Sequence, residues 1–119
     1  MIKGFEEQTQ PLNDYERGTL LPLIVLGLRT KLGAGRAITG AKICAAMRSR
    51  GYQIDAPRLR KIVNHIRTND MVPCLVSTSK GYYVATTSSE LDECINSLKG
   101  RVDAIQSVIN ALNRQRIFI

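Results

Sequence analysis

The sequence predicts a mostly α-helical fold with one small β-hairpin and a long C-terminal helix. Three observations predict it. Apolar residues recur at helical spacing through most of residues 13–68, with turn residues breaking the pattern twice. Residues 74–86, "CLVSTSKGYYVAT", are rich in β-branched and aromatic residues and split by Ser79-Lys80-Gly81. Residues 88–119 hold no proline and carry an unbroken seven-residue apolar repeat.

Length and composition set the limits. A chain of 119 residues is one domain with room for an appendage, and 44% hydrophobic residues suffice for a modest core. No apolar run approaches the roughly twenty residues that span a bilayer. The start, "MIKGFEEQTQPLND", places acids where a secretion signal would be basic and then apolar, so the protein is expected to stay in the compartment where it is made. Cys44, Cys74 and Cys94 are widely spaced and odd in number, which predicts buried or half-buried reduced thiols rather than a disulfide framework or a metal knuckle.

The net charge of +7 is unevenly placed: residues 1–28 net −2, residues 29–80 net +9, and residues 81–119 are neutral. One sign concentrated on one module is the electrostatic footprint of a polyanion binder.

Taken in order, residues 1–12 read as a flexible N-terminal arm. Asn13 is placed to cap a first helix, "DYERGTLLPLIVLGLRTKLG", whose acids Asp14 and Glu16 lie near its positive end. Its leucines, Ile24 and Val25 make it apolar on most sides and therefore central. Pro22 either kinks this helix or marks its true start near Leu21. "GAGR" ends it, and "AIT" (37–39) reads as a short strand. Thr39 caps a second helix, "GAKICAAMRSR", which Gly51 ends. Asp55 caps a third, and Pro57 is tolerated in its first turn. Leu59, Ile62, Val63 and Ile66 form one apolar stripe on that helix. At roughly 100° per residue, Lys61, Asn64 and Thr68 point away from the stripe, flanked by Arg58, Arg60, His65 and Arg67. No acid falls between Pro57 and Asn69. A hairpin follows, with strands Cys74–Thr78 and Tyr82–Thr86, so that Tyr82 and Tyr83 face opposite sides, one on the core with Val84 and the other toward solvent or nucleic acid.

Two helices joined by a tight turn, the second apolar inside and basic outside, follow helix-turn-helix logic. The hairpin after them makes the domain, residues 13–87, a winged helix. The stretches "STSKGYYVAT" (77–86) and "SSELDECINSLKGRVDAIQ" (88–106) resemble small winged-helix proteins of bacterial phages and mobile elements, over about residues 38–112. The resemblance implies a DNA-binding protein acting in transcription or replication, in the bacterial host cytoplasm or nucleoid.

On this reading the third helix enters the major groove. Arg60, Lys61, Asn64 and His65 are candidates to read base edges, with Thr68 on the same face and Arg58 near a phosphate. Lys80 in the wing turn, Lys42, Arg48 and Arg50 on the second helix and Arg36 before the short strand are candidate phosphate contacts. Catalysis has no support. His65 is the sole histidine and lacks a nearby nucleophile, "GAGRAITG" departs from the dinucleotide fingerprint at Ile38, and no cofactor or metal is implied.

In residues 88–119, Leu91, Ile95, Leu98, Val102, Ile105, Ile109 and Leu112 alternate spacings of four and three. β-branched residues at a with mainly leucine at d favour a two-stranded pairing. About 28 helical residues extend roughly 42 Å, longer than the body of a small domain, which points to a homodimer rather than packing on the first helix. The expected protein is thus a non-enzymatic double-stranded DNA-binding regulator without a membrane partner. A protein–protein adaptor and a double-stranded RNA binder are the alternatives.

Overall fold

Residues 8–119 are described by the structure, a computed structural model. They are mostly helical, with a two-stranded antiparallel hairpin and a long C-terminal helix. The chain divides after Thr86 into two units. In the first, helix α1 (Leu21–Arg29) continues a wide turn over Glu16–Leu20, followed by α2 (Gly40–Ser49), α3 (Ala56–Thr68), β1 (Leu75–Thr78) and β2 (Gly81–Val84). The second is α4 (Ser88–Arg114) with a short 3₁₀ turn at its end.

Pro22 explains the wide turn. It has no N–H to give the carbonyl four residues back, and its ring would collide with that carbonyl in a regular helix. Opening the pitch relieves the collision: the Leu21 amide bonds the Glu16 carbonyl, five residues back. The helix therefore runs on through Pro22, and residues 14–29 are continuous. Leu20, Leu21, Ile24, Val25 and Leu28 form its buried side. Leu12 is buried too, which ties the end of the expected 1–12 arm to the core; residues 1–7 of that arm lie outside the described residues.

Helices α2 and α3 begin and end as their sequences dictate. Thr39 accepts the Lys42 amide and Asp55 accepts the Arg58 amide. At the end of α2, Gly51 (φ 90°) sends its amide to Arg48 and the Tyr52 amide bonds Met47, a Schellman closure that needs the left-handed conformation at Gly51. The α3 stripe Leu59, Ile62, Val63 and Ile66 is fully buried against Ile43, Ile54, Val72, Leu75 and the apolar side of α1.

The strands are shorter than expected. Leu75 pairs with Val84, Val76 with Tyr83, Ser77 with Tyr82 and Thr78 with Gly81, leaving Ser79-Lys80 as the turn. Cys74 has φ 64°, which takes it out of the first strand and leaves it exposed, unlike the buried Cys44 and Cys94; no disulfide joins the three. The strand expected at 37–39 is a single bridge, because Thr39 is already committed to capping α2. Ile38 and Tyr82 exchange both backbone hydrogen bonds, at 3.0 and 2.8 Å. Tyr82 and Val84 pack on the core. The expected division of the two tyrosines between core and solvent is not seen, because Tyr82 is half-buried and Tyr83 is only 4% exposed.

Among the described residues no helix is long and apolar enough to cross a membrane.

Gly81 holds the hairpin to Ile38. Its φ is 115°, and a Cβ there would meet the Ile38 carbonyl oxygen at 2.3 Å. Gly81→Ala combines left-handed strain with a collision against backbone that cannot swing aside. It is expected to destabilise the domain by at least about 2 kcal/mol, measured as a lower urea midpoint at unchanged slope.

Candidate nucleic-acid interface

The outer face of α3 is not uniform. Its N-terminal end is bound to Glu16, which is 1% exposed and the only buried charged residue among those described. Asn13 and Glu16 form a reciprocal cap: each side-chain oxygen accepts the other's backbone amide at 2.9 Å. The Glu16 carboxylate then turns across to α3. Its Oε1 lies 2.7 Å from Lys61 Nζ and its Oε2 lies 3.0 Å from Arg58 Nε.

Arg58 is engaged on its other sides as well. Its Nη1 donates to the Gln53 carbonyl at 2.9 Å, and its guanidinium lies over the Tyr15 ring, 5.5 Å from the centroid. Tyr15 in turn accepts the Gln53 amide at 2.8 Å. Lys61, expected to point away from the apolar stripe, instead bends to Glu16, and its side chain is only 17% exposed. A flexible four-carbon stem follows its partner rather than the direction of its Cα–Cβ bond. Burial pushes the Glu16 carboxyl up, but the bond from Lys61, the Asn13 amide, the Lys61 charge and the Arg58 bond together hold it below the ordinary glutamate value.

The opposite flank of α3 differs. Arg60 and Arg67, seven residues apart, share a side, with Arg60 exposed and Arg67 half-buried. Both act on the Tyr82 hydroxyl: burial raises its pKa, and the positive charges of Arg60 and Arg67 oppose the rise. Close packing brings the start of α2 to the same place. A Cβ on Gly40 would lie 3.3 Å from Leu59 Cδ2 and 3.8 Å from Tyr82 Cε2. Lys42 is exposed in that first turn of α2. Arg36 and Lys80, both exposed, each lie two residues from the Ile38–Tyr82 bridge. Tyr82 thus packs beside the start of α2 and within electrostatic reach of Arg60 and Arg67 on α3. Spacing alone did not reveal it, because the Ile38–Tyr82 bridge is a long-range contact.

Between the two flanks, Asn64 is half-buried and Thr68 exposed, and the Thr68 hydroxyl donates to the Asn64 carbonyl at 2.9 Å. His65 is half-buried, with its ring Nδ1 3.5 Å from Asn69 Nδ2 and its carbonyl accepting from that same amide at 2.8 Å. Among the remaining bases, Arg48 donates to the Ile54 carbonyl at 3.0 Å and Arg29 to the Met71 carbonyl at 3.3 Å. The basic segment therefore spends part of its charge on holding the fold together. No group of His, Cys, Asp and Glu among the described residues could hold a metal.

No protein-family model, curated protein or solved structure matches this chain.

The Glu16 cluster makes stability depend on pH and on both cations. Its carboxyl is depressed in the folded state. The stabilisation is therefore complete above the unfolded-state value of about 4.3 and is lost as pH falls through the lower folded value. Glu16→Ala leaves two partly buried cations unpaired and removes a cap, at an expected cost of about 2–4 kcal/mol in urea unfolding at pH 7. Glu16→Gln is expected to flatten the acid limb of stability against pH. An unchanged acid limb would mean that other carboxylates set it.

Proposed function

We propose that this chain is a winged helix-turn-helix protein that binds double-stranded DNA and acts without catalysis, as an accessory regulator of transcription or replication in a phage or mobile element. The observation that carries this reading is that Arg60 on α3, Lys42 in the first turn of α2 and Lys80 in the hairpin turn are all exposed bases, with Arg60 acting on the Tyr82 hydroxyl. In a major-groove dock, Arg60 and Asn64 are the base-reading candidates, because their part of α3 is not committed to Glu16. Lys42, Lys80 and Arg36 are placed to meet phosphates. Lys61 and Arg58 take the supporting part: they fix the angle of α3.

The test is a polarisation titration against random duplex DNA at about 50 and about 200 mM salt. Affinity is expected to fall steeply with salt, and Lys80→Ala is expected to lower the log–log slope by about one. At a preferred site, Arg60→Ala or Asn64→Ala should cost about 1–3 kcal/mol and affect random DNA much less. Lys61→Ala should act mainly on stability. A protein with no salt-dependent DNA affinity would instead be an adaptor, the reading favoured if the apolar surface of α4 alone engages a partner.

That surface supports a homodimer as the active form. Of the seven seam residues, Leu91 is half-buried, and Ile95, Leu98, Val102, Ile105, Ile109 and Leu112 are exposed, from 39% at Ile105 to 63% at Val102. Helix α4 is 27 residues long, roughly 40 Å at the α-helical rise. A second copy in parallel supplies matching knobs and holes along the whole seam. It also sets Arg101 against Gln106 and Val108 against Asn113 at the flanking positions, without like-charge contacts. Val102→Glu is expected to give a folded monomer, read by light scattering with circular dichroism. A wild-type chain already monomeric at high concentration overturns the dimer.

A further inference from the structure

Residues of α1 and α2, with Ile38 and Tyr52, line an open cleft of about 350 Å³. That lies within the range of small-molecule sites, roughly 300–1,000 Å³. Its walls are apolar: Leu23 and Gly27 on α1, Ile43, Ala46 and Met47 on α2. Lys31 and Arg50 are the charged residues that line it, and no acid does.

Gly27 lies in the wall of the cleft. It sits within α1, where glycine costs about 1 kcal/mol relative to alanine. Its φ is ordinary, and a Cβ built on it would meet nothing within 4 Å. Its missing side chain leaves that part of the cleft wall open. Two cations at the edge of an apolar trough select a ligand with one apolar body and one anionic head.

We propose that this cleft binds a small amphipathic anion, an aliphatic or aromatic carboxylate, with the hydrocarbon between α1 and α2 and the carboxylate against Lys31 and Arg50. Charge complementarity decides against a neutral or cationic occupant. Lys31 is not a candidate DNA contact, and Arg50, a candidate phosphate contact in the sequence, lines this cleft and has no part in the dock proposed above; the inference therefore goes beyond that reading and survives its failure.

The test is calorimetric titration of the full chain with octanoate below its micellar concentration, and with octylammonium as the probe of opposite head charge. Octanoate is expected to bind saturably, one per chain, and octylammonium at least about tenfold more weakly. Lys31→Ala with Arg50→Ala is expected to weaken octanoate at least about tenfold. Gly27→Leu fills the cleft where there is open space and removes a helix-breaking residue. It is expected to stay folded and to abolish binding, and Ala46→Leu on the facing wall does the same if Gly27→Leu fails to fold. Non-saturating octanoate binding, equal binding of octylammonium, or octanoate binding unaffected by the filling substitutions overturns the proposal. DNA titrations on the same variants report separately on the DNA reading.

Discussion

The Glu16 carboxylate is the constraint on which much of the first unit depends. Burying an ionised carboxylate is costly unless its oxygens are bonded and its charge is met. Here three bonds satisfy it: the Asn13 amide, Lys61 and Arg58. One group thereby closes the first turn of the helix over residues 14–29 and binds the start of α3. No buried side-chain nitrogen or oxygen among the described residues is left without a partner. Apolar packing of its stripe fixes which face of α3 meets the core. Directional ion pairs to Glu16 add a polar tie at one flank. They also decide which residues of the helix remain to meet a partner, since Arg58 and Lys61 are turned inward.

A second anchor, built from backbone rather than charge, holds the other flank. Gly81 lets the hairpin approach Ile38 closely enough for the double hydrogen bond with Tyr82. Tyr82 then packs beside the start of α2 and within the electrostatic reach of Arg60 and Arg67. The exposed bases proposed for DNA therefore rest on two rigid supports, and their side chains cost the fold little. Such an arrangement separates stability from recognition: the residues that hold α3 are not those offered to a phosphate or a base.

The two apolar surfaces differ in kind. The α4 seam is convex and periodic, so its natural complement is another helix of the same period. The cleft between α1 and α2 is concave and edged by cations, and its complement is a small body with a negative head. Exposed area alone would treat them alike; shape and charge are what distinguish the occupants proposed for them.

Local signals in the sequence determined a great deal. The caps at Asn13, Thr39 and Asp55, the Gly51 stop, the α3 stripe and the α4 repeat are each written within a few residues, and each appears in the structure. Net charge likewise marked the basic module. What the sequence could not decide were the partners of flexible or long-range groups. Lys61 was expected outward because helical geometry fixes Cβ, whereas its ammonium lies four carbons further and followed a carboxylate 45 residues away. One hint was legible: Asn13-x-x-Glu16 is a capping-box spacing, although its carboxylate's second task was not. The short strand shrank to Ile38, Cys74 left its strand, and Tyr83 turned out buried, since hairpin register depends on contacts made across the fold. Periodicity is a property of one segment and survives being read alone. Pairing belongs to two segments at once, so only the tertiary structure could decide it.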